Sequence, residues 1–182
     1  MRGAANPQVQ IRPFAERSDY EGMIDYFLNA SDSFLKGMGV DPGKLPDREA
    51  WLESVLLDHE RDMGEKERFY LAWIYEGIVV GHSSINQIKV GEEAFIHLHL
   101  WDKALRKTGL GTKFFAASVA EFLRVFRLKR LYSEPFSGNP APSRVLENSN
   151  FRFIKKYRTT PGPINFEQNV NKYVLESTSL EE

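Results

Sequence analysis

The chain has 182 residues, 42% hydrophobic and 27% charged, with a formal net charge of −1. That length suits one domain with a sizeable core, and so small a charge gives no reason to expect nucleic acid or an acidic membrane as partner. Cysteine is absent, which excludes disulfides, thiolate metal sites and a cysteine nucleophile.

No apolar run approaches the roughly 18 residues of a membrane span, and the opening "MRGAANPQVQ" lacks the apolar centre of a secretory signal. The expectation is a soluble, cytoplasmic protein whose residues 1–182 form a single domain with its core at about 9–176.

In chain order, "VQIRPF" (9–14) alternates and predicts a short first strand. Residues 18–35 place Tyr20, Met23, Ile24, Phe27 and Leu28 at helical spacing, with Ser18 as N-cap. "KGMGVDPGKLP" is a loop by its Gly and Pro content. Asp47 then opens a second helix whose apolar face is Trp51, Leu52, Val55 and Leu56.

"RFYLAWIY", "IVVGHSSINQI" and "EAFIHLHLW" read as an antiparallel meander turned at Glu76-Gly77 and at Val90-Gly91-Glu92. A helix follows with Phe115, Val119, Phe122 and Phe126 on one stripe. "LKRLYSEPF" is a fifth strand. "NPAPSRVLENSNF" is a short helix with Asn139 as N-cap, Pro140 at its first position and Asn150 as a left-handed C-cap. Two closing strands flank "PGPINFE". The order β-α-α-β-β-β-α-β-α-β-β predicts an α+β fold.

Between the fourth strand and the third long helix lies a basic turn in which Gly109 and Gly111 flank Leu110, with Lys103, Arg106, Lys107 and Lys113 around it. One reading is an ordinary helix start with solvated cations. The other is a cradle for a phosphate or pyrophosphate, because the first N–H groups of a helix have no intrahelical partner and glycine lets a ligand approach them closely. The turn lacks the Gly-Lys-Ser/Thr of a P-loop, and Phe114 stands where a dinucleotide fingerprint needs its third glycine.

Arg106-Lys107-Thr108-Gly109-Leu110-Gly111 resembles the R/Q-x-x-G-x-G/A acyl-CoA motif of the GNAT acetyltransferase superfamily, and Asn139 to Phe151 is similar to that family's second signature helix. The element order agrees over nearly the whole chain. The resemblance implies a mixed, mostly antiparallel central sheet with helices on both faces and splayed central strands. It implies acetyl-CoA as co-substrate, and among the branches it points to the ribosomal-protein N-terminal acetyltransferases.

Carried over by position, backbone groups of His99, Leu100 and Trp101 would pair with the acetyl group and pantetheine arm. Backbone N–H groups of Arg106, Lys107, Thr108, Gly109, Leu110, Gly111 and Thr112 would hold the pyrophosphate. Asn139 and Ser143 would flank the distal pantetheine and the sulfur. The chain departs from the pattern at Leu146, where many members carry the Tyr that protonates the thiolate, and at Asn150, where Gly is usual.

Attack on a thioester needs an unprotonated amine, so a nearby base helps. His97, whose residue type titrates near neutrality, is one candidate for that role; the plainer reading is a strand histidine satisfied by a hydrogen bond. His97 and His99 form an H-x-H pair without a third ligand, so no metal is expected. Glu134, at the end of the fifth strand, either takes up the proton, binds a cationic substrate, or is a rim carboxylate paired with Arg or Lys.

The acceptor pocket is expected between the 31–48 loop, the start of the fourth strand and the 158–169 loop, with Phe34, Met38 and Asp32 or Asp41 in it. The expected activity is direct N-acetyl transfer, in a ternary complex, to a primary amine of a small molecule or a protein N-terminus. The alternative is a non-catalytic acyl-CoA-binding or sensing domain of the same fold. Assembly as a homodimer stays open.

Overall fold

A computed structural model describes residues 9–177 of the chain, so the reading of the N-terminal segment falls almost wholly outside them. Seven strands form one sheet: β1 (Gln10–Pro13), β2 (Arg68–Tyr75), β3 (Ile78–Lys89), β4 (Glu93–Leu100), β5 (Arg130–Ser133), β6 (Arg152–Thr159) and β7 (Gln168–Glu176). Their spatial order is β1-β2-β3-β4-β5-β7-β6, and every pairing is antiparallel except β4 with β5. The helices are α1 (Arg17–Leu28), α2 (Asp32–Gly37), α3 (Arg48–His59), α4 (Leu110–Phe126) and α5 (Pro140–Asn148). This is the mixed, mostly antiparallel α+β fold that the element order predicts.

Local chemistry sets most boundaries. The β2–β3 hairpin pairs Tyr75 with Ile78 across Glu76 and Gly77, both at positive φ, which matches the right-handed twist of the strands. Asp47 caps α3 by accepting from the N–H groups of Glu49 and Ala50. Asn150 takes φ 65° after α5, as its residue type allows.

The first helical stretch differs from expectation. Asp19 accepts from the N–H groups of Ala15 and Glu16 and pairs with Arg12 at 2.7 Å, fastening the helix so that Glu16, not Ser18, is its N-cap. The stretch also breaks at Asn29–Ser31, where the Ser31 hydroxyl accepts from Phe34 N–H and starts α2, a serine at a cap rather than in a helix interior. Strand β5 is shorter than its sequence run, since Leu128 N–H turns back to Leu123 O behind the left-handed Arg127.

The sheet divides two cores. On one face α4 and α5 bury Leu71, Trp73, Ile85, Ile96 and Leu131; on the other α1 and α3 pack over Phe14, Tyr70 and Ala72. Trp73 stacks on Phe114 with centroids 5.2 Å apart, and its indole N–H donates to the Ser118 hydroxyl at 2.9 Å, which in turn donates to Phe114 O. A buried tryptophan is thereby left with no unpaired donor.

Gly81 in β3 marks the tightest approach in the ladder. A Cβ there would lie 2.5 Å from His99 O and 3.1 Å from Leu100 Cα, both backbone atoms that cannot move aside cheaply. Gly81→Ala should therefore destabilise the protein by about 1–3 kcal/mol, as overpacking does. Urea unfolding would measure this, and an unchanged midpoint would show the ladder to be looser than drawn.

Candidate functional site

The parallel pairing of β4 with β5 lasts three residue pairs, Glu93–Phe95 with Arg130–Tyr132, and then stops. The Ser133 hydroxyl donates to Ile96 O at 3.0 Å where the strands part. Beyond this fork the β5-facing side of β4 has no strand beside it.

Which residues face the gap follows from the β3–β4 register. Trp101 N–H donates to Val80 O at 2.8 Å, and His99 is paired with His82. Backbone groups alternate in direction along a strand. His97, His99 and Trp101 therefore turn theirs to β3, while Leu98 and Leu100 turn theirs to the gap.

Of the three residues carried over for the acetyl and pantetheine contacts, Leu100 faces the gap, and His99 and Trp101 do not. Leu98 was missed. Strand alternation is the signal that would have found it, once the register is known. Leu100 O is also held by the Arg106 guanidinium at 3.1 and 3.3 Å.

The basic turn follows directly. Asp102 caps a 3₁₀ turn at Lys103–Leu105, and Arg106 N–H is committed to Lys103 O, so it is not available to a ligand as the resemblance implied. Lys107 and Gly109 have φ of 65° and 85°, and α4 begins at Leu110, whose buried side chain anchors the helix start. Leu110 N–H reaches the Thr108 hydroxyl at a long 3.4 Å.

Among the described residues, no backbone or cap hydrogen bond engages the N–H groups of Lys107, Thr108, Gly109, Gly111 and Thr112. A Cβ on Gly109 or Gly111 would meet nothing within 4 Å, so the cradle is open. Five free donors at a positive helix end, beside the Lys107 and Lys113 side chains, have the chemistry of a pyrophosphate site.

Helix α5 borders the other side of the gap. The Asn139 side chain accepts from Ala141 N–H as the N-cap. Ser143 Oγ is buried close to the Tyr173 hydroxyl without a well-formed hydrogen bond among the described residues, and that hydroxyl gives its proton to Glu147 at 2.9 Å. An unmade bond on a buried hydroxyl costs roughly 1–3 kcal/mol, so this group fits a ligand atom brought into the gap. Leu146 is fully buried in the core and offers no polar atom there.

The face of β4 and β5 turned away from α4 carries His97, His99 and Glu134. His97 Nε2 lies 3.1 Å from Asn86 Oδ1 at an exposed position of the strand. His99 packs between Tyr26, Phe27 and the His82 ring, 5.0 Å away, and burial lowers it to about 3. His82 is held well below its ordinary value by burial, and its Nδ1 accepts from the Trp101 indole at 2.8 Å. His99 is therefore neutral at pH 7. Among the described residues, no three His, Asp or Glu side chains gather as a metal site.

Glu134 accepts a short hydrogen bond from the Tyr157 hydroxyl at Oε1, and the Lys172 ammonium lies 3.4 Å from the same oxygen. Desolvation, then that bond, pushes Tyr157 up to about 12. Lys172 stands over the rings of Tyr132 and Phe95, 4.8 and 5.4 Å from their centroids.

An arch closes over this face. Asp41 N–H donates to Ile164 O at 2.8 Å, and the Asn165 and Gln168 side-chain amides both donate to Gly39 O. The two loops expected to line the pocket are thus joined to each other. A cavity of about 340 Å³ opens beside it, lined by Asp25, Tyr26, Phe34, Trp101, Lys103 and Arg106, with the Arg106 guanidinium 4.7 Å over Phe34. Asp32 and Asp41 do not line it: Asp32 lies in the first turn of α2, and Asp41 caps the 3₁₀ turn at Pro42–Lys44.

The family model of the acetyltransferase (GNAT) domain matches residues 8–152. Among curated proteins, no sequence matches. Solved structures that share the fold include three acetyltransferases. The ribosomal-protein-S5-alanine acetyltransferase from Vibrio fischeri is 14% identical, with 98% of each chain covered and a TM-score of 0.74. The spermidine N-acetyltransferase from Vibrio cholerae, in complex with CoA and spermine, is 16% identical over 93% of this chain and 95% of its own, with a TM-score of 0.72. The microcin C7 self-immunity acetyltransferase MccE, in complex with acetyl-CoA and AMP, is 14% identical over 92% of each chain, with a TM-score of 0.71.

The buried histidines set an acid limit on stability. Their folded pKa values lie below the unfolded value of about 6.5, so the unfolded chain takes up protons that the folded chain refuses. The stability they contribute is complete above about pH 6.5 and declines as pH falls from there toward the folded values. Denaturant unfolding should give a lower free energy at pH 5 than at pH 7.5, and His99→Phe should reduce the difference. Equal stability at the two pH values would mean that these rings are hydrated.

Proposed function

The chain belongs to the GNAT acetyltransferase family, and on that premise we propose that it transfers acetyl from acetyl-CoA directly to a primary amine of a small molecule or a protein N-terminus. The observation that carries this reading is the row of unengaged N–H groups at Lys107–Thr112, placed at the mouth of a fork in the sheet. The fold shared with enzymes of ribosomal-protein and polyamine acetylation supports the same choice of acceptors. Dependence on an intracellular metabolite is the reason for a cytoplasmic assignment.

In this reading the turn holds the pyrophosphate, Leu98 and Leu100 offer backbone groups to the arm lying in the fork, and Ser143 Oγ meets the sulfur. Bound acetyl-CoA supplies an acyl carbon open to attack by an unprotonated amine. The chain's own part is to hold that amine in line and to take its proton. No acyl-enzyme is needed, and no cysteine exists to form one.

Glu134 Oε2 takes no hydrogen bond among the described residues, because Tyr157 and Lys172 both address Oε1. His97 stands across the fork on the same face. We assign the proton to a water held between these two groups. A Ser143 hydrogen bond to the departing sulfur substitutes for the phenol that Leu146 cannot supply.

The deciding experiment is thiol release from acetyl-CoA over a panel of amines and peptides. Tight binding with no turnover on any of them would favour a non-catalytic acyl-CoA sensor instead. Gly109→Val should abolish acetyl-CoA binding by calorimetry, because a branched side chain both strains φ 85° and fills the cradle.

Glu134→Gln should lower turnover by roughly two to three powers of ten, with His97→Ala acting in the same direction and less strongly. The deficit should shrink at high pH, where the amine is already unprotonated. Near-normal turnover in both variants at pH 7 would assign the proton to bulk water.

A further inference from the structure

The acceptor side of the fork carries an electrostatic imbalance that the transfer chemistry leaves unused. Across neighbouring strands, Lys155 of β6 stands directly opposite Lys172 of β7, and Lys172 stands beside Glu134, just past the end of β5. The row thus holds two cations, and the carboxylate is beside Lys172 alone. Like charges directly opposite on a sheet repel, and here they are spaced by aromatic rings. Lys155 lies over Tyr157 at 4.8 Å, and Lys172 over Tyr132 and Phe95.

Lys172 is also underserved. Its side chain is only 23% exposed, its nearest anion is 3.4 Å away, and its ammonium makes no hydrogen bond among the described residues. Glu134 is 12% exposed and already takes the Tyr157 proton donor. Other acids near the cleft are spent: Glu167 pairs with Arg158 at 2.9 Å, and Asp25 with Arg48 at 2.9 Å. A half-enclosed ammonium with three donors and one long contact is incomplete, and an anion is the complement that satisfies both it and Lys155.

The direction of approach puts that anion on the acceptor. Helices α4 and α5 cover the opposite face of the sheet. An amine reaching the fork must therefore come over the face that bears His97, Glu134 and Lys172, beneath the arch. Resting on the transferase reading, we propose that Lys172, assisted by Lys155, binds a carboxylate of the acceptor, so that the preferred substrate is an amine carried on an acidic body rather than a polyamine. A free amino acid and an acidic peptide N-terminus offer the same chemistry, and the peptide is the longer of the two.

The test is acetyl transfer at constant ionic strength to four acceptors: tetrapeptide amides starting with Ser and carrying either two Asp or two Lys, free glutamate, and spermidine. The Asp peptide should exceed the Lys peptide and spermidine by about tenfold or more in kcat/KM, the scale of one charge-assisted hydrogen bond. Transfer to glutamate at the rate of the Asp peptide would assign a small amino acid as the source. A much slower rate would assign a polypeptide.

Lys172→Gln should raise KM for the acidic acceptors more than for the Lys peptide, Lys172→Arg should restore it, and acetyl-CoA affinity should stay as in the wild type. Lys155→Glu, at an exposed position that does not endanger folding, should shift the preference toward the Lys peptide. Spermidine accepted as well as the Asp peptide, or an acceptor order unmoved by Lys155→Glu, overturns the charge assignment and leaves the transferase reading standing. No transfer to any amine removes both.

Discussion

Two parallel strands that stop pairing inside a sheet create a cost that the molecule must meet. Backbone N–H and C=O groups buried without partners are destabilising, and native chains leave very few of them. Here β4 runs on past Phe95 while β5 ends at Ser133, and one serine hydroxyl spans the point of divergence. What remains is a slot edged by peptide groups, which an extended, amide-bearing ligand can fill as a further strand would. The cation-rich turn, the open glycines and the orphaned Ser143 hydroxyl all lie along the borders of that slot, so the chemistry follows from the interrupted pairing.

The two sides of the slot differ in how they are held. On the cofactor side the elements are local: β4, the turn and the start of α4 are contiguous in sequence, and the turn's shape follows from Asp102, Lys107 and Gly109. On the acceptor side the groups come from distant parts of the chain. The histidines there are kept neutral by burial against Tyr26, Phe27 and Trp101, and the one carboxylate is fixed by a phenol and an ammonium from other strands. That side of the slot therefore has one aromatic wall and one charged wall.

That contrast also explains what the sequence made legible. Caps and turns depend on neighbouring residues, so Asp47, Asn150 and the Glu76-Gly77 hairpin were readable, as were β2 and the apolar stripe of α4. The break at Asn29–Ser31 was not, because helical periodicity continues through it and only the Ser31 cap ends the run. The gap-facing role of Leu98, in place of His99 and Trp101, depends on register, which no local pattern encodes. Neither the Tyr157–Glu134–Lys172 cluster nor the orphaned Ser143 hydroxyl has a local signature, since each is defined by partners, or missing partners, far along the chain.

The strand order has a consequence for how such a molecule is built on a ribosome. Strand β7 is synthesised after β6 yet lies between β5 and β6 in the sheet. Until β7 emerges, β6 has no neighbour and the Lys155–Lys172–Glu134 row does not exist. The arch must likewise wait, since Gly39 receives its bond from Gln168, 129 residues later. Contacts of that separation close late, after their loop entropy has been met by shorter-range structure. The cofactor turn, made of adjacent residues, can take shape well before then. In a nascent chain the contacts that shape the basic turn are thus available before those that join β6, β7 and the arch.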